Sequence, residues 1–315
     1  MTDSVFRIFE IVVITLLVLM ALVLSTLLLF ENVNFHNIGG IEKREFSCFR
    51  GDLRIRGTVF LPAGKTNLYV AIVGHEFMTN RMFSYPYALA LARRGYAAFC
   101  FDFCGGGILC GSDGDSRNMS VLTEIADLRS VIAFANEQSY TNDAPVLLMG
   151  CSQGGLVAAL TAAALKEKIG GLILQYPAFS ILGDARKGEM LWMRFDPSHV
   201  PQQMRSGLMR IGRCYAVDVM RIDTLSAIAH YTGNVLIIQG DKDQIAKISN
   251  SRKAEKTYKD AGAKVCFQVI TRGRHIFLRP DHIRLAAHAV SEFAAQIKET
   301  NGSTVSLDCC MRGRV

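Results

Sequence analysis

The stretch "LLMGCSQGGL", Leu147 to Leu156, runs from an apolar segment through a turn of small residues into a second apolar segment. Ser152 lies at the centre of that turn, in a G-x-S-x-G pattern that extends from Gly150 to Gly154. At a strand-to-helix turn of this kind a nucleophilic serine takes strained backbone angles, and only small neighbours let strand and helix approach closely. The five residues alone also fit an ordinary tight turn, so their meaning depends on the surrounding sequence.

Apolar runs alternate with amphipathic segments on both sides of this turn. Leu68–Gly74 and Tyr96–Phe103 are almost continuous in apolar residues, which is typical of strands buried on both faces. Val121–Glu137 and Arg284–Glu299 have the spacing of amphipathic helices. The alternation predicts a parallel sheet covered by helices on both faces.

Candidate partners for Ser152 follow two later strand-like runs. A serine nucleophile needs a base, and the base needs an orienting acid, in the chain order Ser, acid, His. "NVLIIQGDKDQIA" supplies Asp243 as the acid, with Asp241 as the second candidate, and "CFQVITRGRHIF" supplies His275 as the base. The order and the positions after strands predict a Ser152–Asp243–His275 catalytic triad.

The reaction also requires two backbone N–H groups that stabilise a developing oxyanion. Gln153, directly after the predicted nucleophile, would supply one of them. The other should come from the loop "HEFMTNR" that follows the apolar strand Leu68–Gly74, and Phe77 is the candidate donor.

A long segment between Tyr176 and Asn234 interrupts the alternation. Connections of this length in compact domains are usually functional, and this one is rich in methionine and holds the single tryptophan of the chain. We expect a cap with a pliable apolar substrate pocket lined by Trp192, Met190 and Met193. Some of these side chains must also form the core of the cap.

The chain from about Arg44 to Lys298 resembles the α/β-hydrolases of serine-esterase type and, among them, the bacterial feruloyl/cinnamoyl esterases. The stretches that carry the resemblance are "GHEFMTNR", "FDFCGGGILCGSDG", "GCSQGG", "KGEMLWMRFDPSHVP", "IQGDKDQIA" and "GRHIF". The resemblance implies an α/β-hydrolase fold, a doubly wound and mostly parallel sheet with a small cap inserted at about 178–232. It also implies the triad named above and no cofactor. The spacing of Cys100, Cys104 and Cys110 matches no familiar zinc pattern, so no metal is expected.

One position departs from that resemblance. The usual His-Gly pair of the oxyanion loop is His75-Glu76 in this chain. A carboxylate aimed into the site would oppose the oxyanion, so we expect the Glu76 side chain to point outward.

An apolar stretch precedes the domain. Residues 11–30, "IVVITLLVLMALVLSTLLLF", are long enough for a membrane-spanning helix. A cleaved signal peptide is the alternative, but its basic n-region and small-residue cleavage site are missing. The expected organisation is an anchor at 1–32, a connector at 33–43, the hydrolase domain at 44–299 and a flexible tail at 300–315.

Charge and cysteine usage bear on location. The net charge of +7 is spread along the chain without a basic block, which does not favour a nucleic-acid partner. Arg7 precedes the apolar stretch while Lys43 and Arg44 follow it, so the positive-inside rule favours a cytoplasmic domain. The odd, scattered set of nine cysteines agrees with this orientation.

The sequence therefore predicts a membrane-tethered serine esterase that contacts the bilayer through its anchor. The resemblance implies hydroxycinnamoyl or other small acyl esters as its substrates. A lysophospholipase, monoacylglycerol lipase or acyl-thioesterase would use the same machinery. The alternative from another class is a catalytically silent hydrolase fold that serves as a binding module, which Glu76 would favour.

Overall fold

The computed structural model describes residues 39–302. The strands are β1 (Ile41–Arg50), β2 (Leu53–Pro62), β3 (Tyr69–Gly74), β4 (Tyr96–Phe101), β5 (Val146–Cys151), β6 (Ile169–Gln175), β7 (Glu189–Met190), β8 (Met193–Arg194), β9 (Gln203–Ser206), β10 (Met209–Gly212), β11 (Asn234–Gly240) and β12 (Lys264–Ile270). The α-helices are α1 (Tyr85–Arg93), α2 (Val121–Asn136), α3 (Gln153–Leu165), α4 (Ile181–Arg186), α5 (Arg213–Arg221), α6 (Thr224–Ile228), α7 (Ile248–Asp260) and α8 (Pro280–Gly302).

Eight strands form the central sheet in the order β1-β2-β4-β3-β5-β6-β11-β12. The pairs from β4 to β12 are parallel, whereas β2 pairs antiparallel with both β1 and β4. The residues of β4 and β5 are buried throughout, as their continuous apolar sequence requires. The predicted mostly parallel sheet is therefore present, and β5, which leads to Ser152, lies in its interior.

Helices cover both faces of the sheet. One core cluster joins the sheet to α1 and α8, and the other joins it to α2, α3 and α7. A Ser120–Thr123 capping box starts α2, which packs against α3. The helix α3 is buried from Gln153 to Ala163, so the turn at Ser152 is held between β5 and the interior of this layer.

The cap segment lies between β6 and β11. It consists of α4, the hairpins β7–β8 and β9–β10, and the helices α5 and α6. Leu191 and Trp192, which form the two-residue turn of the first hairpin, both have positive φ angles, 50° and 63°. Such turns normally use Asn and Gly, so this turn is strained.

The first described residues lie at the amino ends of the parallel strands. Ile41 pairs with Pro62. Gly39 and Gly40 line a surface cleft together with Tyr69, the first residue of β3, and Gly95, which directly precedes β4. The strand β1 begins within the predicted connector 33–43, so the folded domain starts earlier than expected. At the other end α8 continues to Gly302, into the predicted tail.

The predicted membrane-spanning helix at residues 11–30 lies outside the described residues. Within residues 39–302, none of the helices has both the length and the apolar character needed to cross a membrane.

Candidate active site

The turn at Ser152 has the geometry that its sequence predicts. Ser152 takes φ 50° and ψ −115° between β5 and α3, a strained conformation for a residue with a side chain. A Cβ atom on Gly150 would lie 2.0 Å from the carbonyl oxygen of Gly154, and one on Gly154 would lie 2.4 Å from that of His75. The glycines therefore allow the strand, the helix and the loop after β3 to meet at Ser152.

The three predicted triad residues meet at the carboxyl edge of the sheet. Ser152 Oγ lies 2.9 Å from His275 Nε2, and His275 Nδ1 lies 2.8 Å from Asp243 Oδ2. With Nδ1–H donating to the carboxylate, Nε2 is left as an acceptor for the serine proton. This arrangement supports nucleophilic attack by the serine.

Of the two candidate acids, only Asp243 reaches the histidine. Its Oδ1 accepts hydrogen bonds of 2.9 Å from the backbone N–H groups of Ile245 and Ala246. Its Oδ2 accepts from Gln239 Nε2 at 3.0 Å as well as from His275. Asp241 is exposed, and its carboxylate accepts instead from the backbone N–H of Arg272.

The candidate oxyanion-hole residues, Phe77 and Gln153, line the same cavity as Ser152. Gln153 is the first residue of α3, where a backbone N–H has no partner within the helix. Phe77 follows the turn at Glu76, whose carbonyl oxygen accepts from Thr79 N and from Thr79 Oγ1. Two residues at one cavity with the serine can supply the backbone N–H groups that a tetrahedral oxyanion requires.

The cavity has a volume of about 540 Å³, enough for a small ester. The cap supplies much of its wall, including all three predicted pocket residues, Met190, Trp192 and Met193. The two methionines are buried, whereas Trp192 is 71% exposed at the tip of its hairpin. The lining also includes three charged residues, Asp184, Glu189 and Arg194.

The expectation that Glu76 points outward is wrong. Glu76 is only 4% exposed, and its carboxylate accepts hydrogen bonds from Tyr176 Oη at 2.7 Å and Thr79 Oγ1 at 3.0 Å. Tyr176 follows β6, far from Glu76 in the chain, and the sequence pattern gives no sign that it would provide a buried donor.

The side chain of Gln153 joins a buried network that the sequence does not reveal. Its Nε2 donates to Glu124 Oε2 at 2.8 Å, and its Oε1 accepts from Tyr215 Oη of the cap helix α5. The ring of Tyr215 also lies 6.2 Å, centroid to centroid, from that of Phe77. Tyr215 thus links the cap to both candidate oxyanion-hole residues.

Glu124 has an unusual protonation equilibrium. Burial raises its pKa to about 8, although the hydrogen bond from Gln153 opposes part of the rise; the nearby Asp127 carboxylate adds to it. The folded protein holds this proton more tightly than the unfolded chain does. Protonation of Glu124 therefore stabilises the folded state fully below pH 4.5, and this stabilisation is lost as the pH rises through 8.

We expect Glu124→Gln to remove this pH dependence, because the amide keeps an acceptor for Gln153 without carrying a charge. The variant should match the wild-type Tm at pH 5 and exceed it by about 5 °C at pH 9. Differential scanning calorimetry across this range measures the difference. Equal slopes of Tm against pH in the two proteins would contradict the assignment.

Three potential metal-ligating side chains also cluster near the loop, namely His75, Asp102 and Cys110. His75 Nε2 accepts from Phe103 N at 3.1 Å, so Nδ1 carries the proton that bonds the Glu76 carbonyl at 2.7 Å. Asp102 accepts from Gly111 N and from Arg81, and Cys110 Sγ contacts Thr79 O. Every one of these ligand atoms is engaged within the protein, and we assign the cluster a structural role.

Solved structures with the same architecture include Est1E of Butyrivibrio proteoclasticus, determined with bound ferulic acid. It is 24% identical, with a TM-score of 0.74, and the match covers 81% of this chain and 99% of that one. The chain has the α/β-hydrolase fold. The fold that the resemblance implies is thereby confirmed.

The fold extends to other hydrolases. The Pyrococcus furiosus esterase Pf2001 is 17% identical with a TM-score of 0.61, covering 81% of this chain and 93% of that one. A thioesterase domain from the curacin biosynthetic pathway is 18% identical with a TM-score of 0.54, over 80% of this chain and 99% of that domain.

The sequence itself matches a family model of serine hydrolases. The family model described as serine aminopeptidase, S33 matches residues 78–207. Among curated proteins, no sequence matches significantly. The family match, the shared fold and the arrangement at Ser152 together support the predicted enzyme class, a serine hydrolase acting on carboxylic esters.

Proposed function

We propose that the protein hydrolyses carboxylic esters of small acyl groups, such as hydroxycinnamoyl esters, through an acyl-enzyme intermediate. The observation that carries the proposal is the 2.9 Å contact between Ser152 Oγ and His275 Nε2, made beside a cavity of about 540 Å³. The ferulic acid bound to Est1E supports an aromatic acyl group.

The mechanism follows from the contacts. Ser152 Oγ attacks the acyl carbon while His275 Nε2 takes its proton, and Asp243 stabilises the imidazolium through Nδ1–H. The amides of Phe77 and Gln153 bind the oxyanion, and His275 returns the proton to the departing alcohol. Water activated by His275 then attacks the acyl-enzyme, and its collapse releases the acid and restores Ser152.

The full chain in detergent tests this proposal. A fluorophosphonate probe should label the protein, and peptide mass spectrometry should place the adduct on Ser152. The same preparation should release p-nitrophenolate from short p-nitrophenyl esters. A folded protein that neither labels nor turns over would contradict the proposal and favour the silent binding module instead.

Lipid esters and thioesters are the second candidate substrates, as for a lysophospholipase, monoacylglycerol lipase or acyl-thioesterase. The apolar side chains at the cavity favour them, because Trp192 and Ile245 are large, exposed and part of its lining. A series of p-nitrophenyl esters from acetate to palmitate, with benzoate and cinnamate, would separate long acyl chains from aromatic ones.

We expect Trp192→Ala to weaken recognition of the acyl group. Loss of the indole should raise KM for p-nitrophenyl cinnamate by about 10-fold, with little change in KM for the acetate ester. Leu208→Ala is a matched control, since Leu208 is exposed at the tip of the other cap hairpin and does not line this cavity. Equal effects of both substitutions on the cinnamate ester would contradict a role for Trp192 in the pocket.

We also propose that residues 11–30 anchor the protein in a membrane, with the hydrolase domain on the cytoplasmic side. The length and apolar character of that stretch support the anchor, and the basic residues after it support the orientation. Alkaline carbonate extraction of membranes and protease protection of intact vesicles would test the two statements separately.

A further inference from the structure

The buried carboxylate of Glu76 lies beside the candidate active site. Its backbone belongs to the loop that carries the candidate oxyanion donor, Phe77. Its carbonyl oxygen accepts from His75 Nδ1 at 2.7 Å and from Thr79 Oγ1 at 2.9 Å, which closes the loop into a tight turn. A buried carboxyl group costs free energy unless its oxygens are hydrogen-bonded, and both Glu76 oxygens have partners.

Tyr176, whose hydroxyl group bonds Glu76 Oε1, also packs against the candidate base His275. Tyr176 Oη donates to Glu76 at 2.7 Å, while the ring of Tyr176 lies 4.9 Å, centroid to centroid, from that of His275. Phe277 packs edge-on against the same tyrosine ring at 5.0 Å. A movement of the Tyr176 ring would therefore change the support of His275.

Further hydrogen bonds hold Tyr176 in place besides the one to Glu76. Gln175 Nε2 donates to Tyr176 Oη at 3.0 Å and also to Tyr87 Oη at 2.7 Å. The backbone N–H of Tyr176 donates to Ile238 O at 2.8 Å. Tyr87 joins this network through Gln175, and the hydrogen bonds of Glu76 go to other residues, which makes Tyr87 a useful reference position.

We propose that Glu76 is a positioning residue for ester hydrolysis. Its carboxylate couples the loop that holds the Phe77 amide to the tyrosine ring that supports His275, so that oxyanion hole and base keep a fixed separation. The inference rests on the proposed esterase activity and extends it to a residue outside the triad. The distance between the oxyanion hole and His275 matters most in the transition state. A change in that distance should therefore affect kcat more than KM.

Steady-state kinetics of the full chain with p-nitrophenyl acetate test the proposal. Glu76→Ala should lower kcat by about 30-fold with KM within about threefold of wild type, because small displacements of reacting groups cost up to about 100-fold. Glu76→Gln should stay within about threefold, since the amide oxygen can accept from Tyr176 while its NH2 group donates to Thr79.

Tyr176→Phe keeps the ring and removes only the hydroxyl group, so it tests the same link without a cavity. It should lower kcat by about 10-fold, and the double variant Glu76→Ala/Tyr176→Phe should be no slower than Glu76→Ala alone. Tyr87→Phe, the matched control, should remain within about twofold of wild type. Thermal unfolding of each variant establishes that the chain is folded.

Three results would overturn the inference while leaving the esterase intact: wild-type kcat in both Glu76→Ala and Tyr176→Phe, equal losses in Glu76→Gln and Glu76→Ala, or multiplicative losses in the double variant. If Glu76→Ala does not fold, Tyr176→Phe and Glu76→Gln decide the matter. Absence of turnover and labelling in the wild-type protein would instead overturn the proposed function, and this inference with it.

Discussion

Replacement of Asp243 with asparagine is expected to lower the kcat of ester hydrolysis by about 10⁴-fold. Oδ1 accepts from two backbone N–H groups, those of Ile245 and Ala246, so the asparagine nitrogen must take the place of Oδ2. There it faces His275 Nδ1 and donates to it. The imidazole proton then moves to Nε2, which can no longer accept the proton of Ser152.

Asp241→Asn provides the control at the other aspartate of the same loop. Asp241 is exposed and its carboxylate bonds the backbone of Arg272, so kcat should stay within about threefold of wild type. Stopped-flow or plate assays with p-nitrophenyl acetate measure both variants. A larger loss in Asp241→Asn than in Asp243→Asn would refute the assignment of the acid.

The second large effect concerns the backbone beside the nucleophile. Gly150→Ala would place a methyl group 2.0 Å from the carbonyl oxygen of Gly154 and 2.6 Å from the backbone nitrogen of Gly155. Backbone atoms cannot move aside as a flexible side chain can, so β5 and α3 must separate. We expect a loss of about 4 kcal/mol or more in the free energy of unfolding, a large part of the 5–15 kcal/mol typical of a domain.

Thermal unfolding should show this loss as a fall in Tm of about 10 °C or more, or as failure to obtain folded protein. Gly183→Ala is the matched control, because Gly183 lies in α4 with no atom within 4 Å of the added methyl group. Alanine is the better helix former, so this variant should gain up to about 1 kcal/mol. Equal Tm values for the two variants would contradict the steric argument.

The triad could be predicted because its members follow strands in a fixed order. Ser152, Asp243 and His275 each come shortly after a strongly apolar run, and parallel strands bring their carboxyl ends to one edge of the sheet. Which of Asp241 and Asp243 is the acid depends on which loop residue turns toward His275. Asp243 lies farther along the loop, and its carboxylate contacts His275.

The residues that the sequence did not indicate depend on long-range contacts. Glu76 is buried because Tyr176, 100 positions later, supplies a donor in the interior. Tyr215 contacts Gln153 across 62 positions, and the short hairpins of the cap have no clear alternating pattern. A pattern of neighbouring residues predicts strands and helices, but it does not give the direction of a single polar side chain.

The described part of the chain begins at Gly39, at the amino ends of the parallel strands. This end of the sheet is opposite to the one that holds Ser152, and the six residues of β5 alone extend about 20 Å between the two. A surface that held the domain at Gly39 and Gly40 would therefore lie at the edge of the sheet opposite to Ser152.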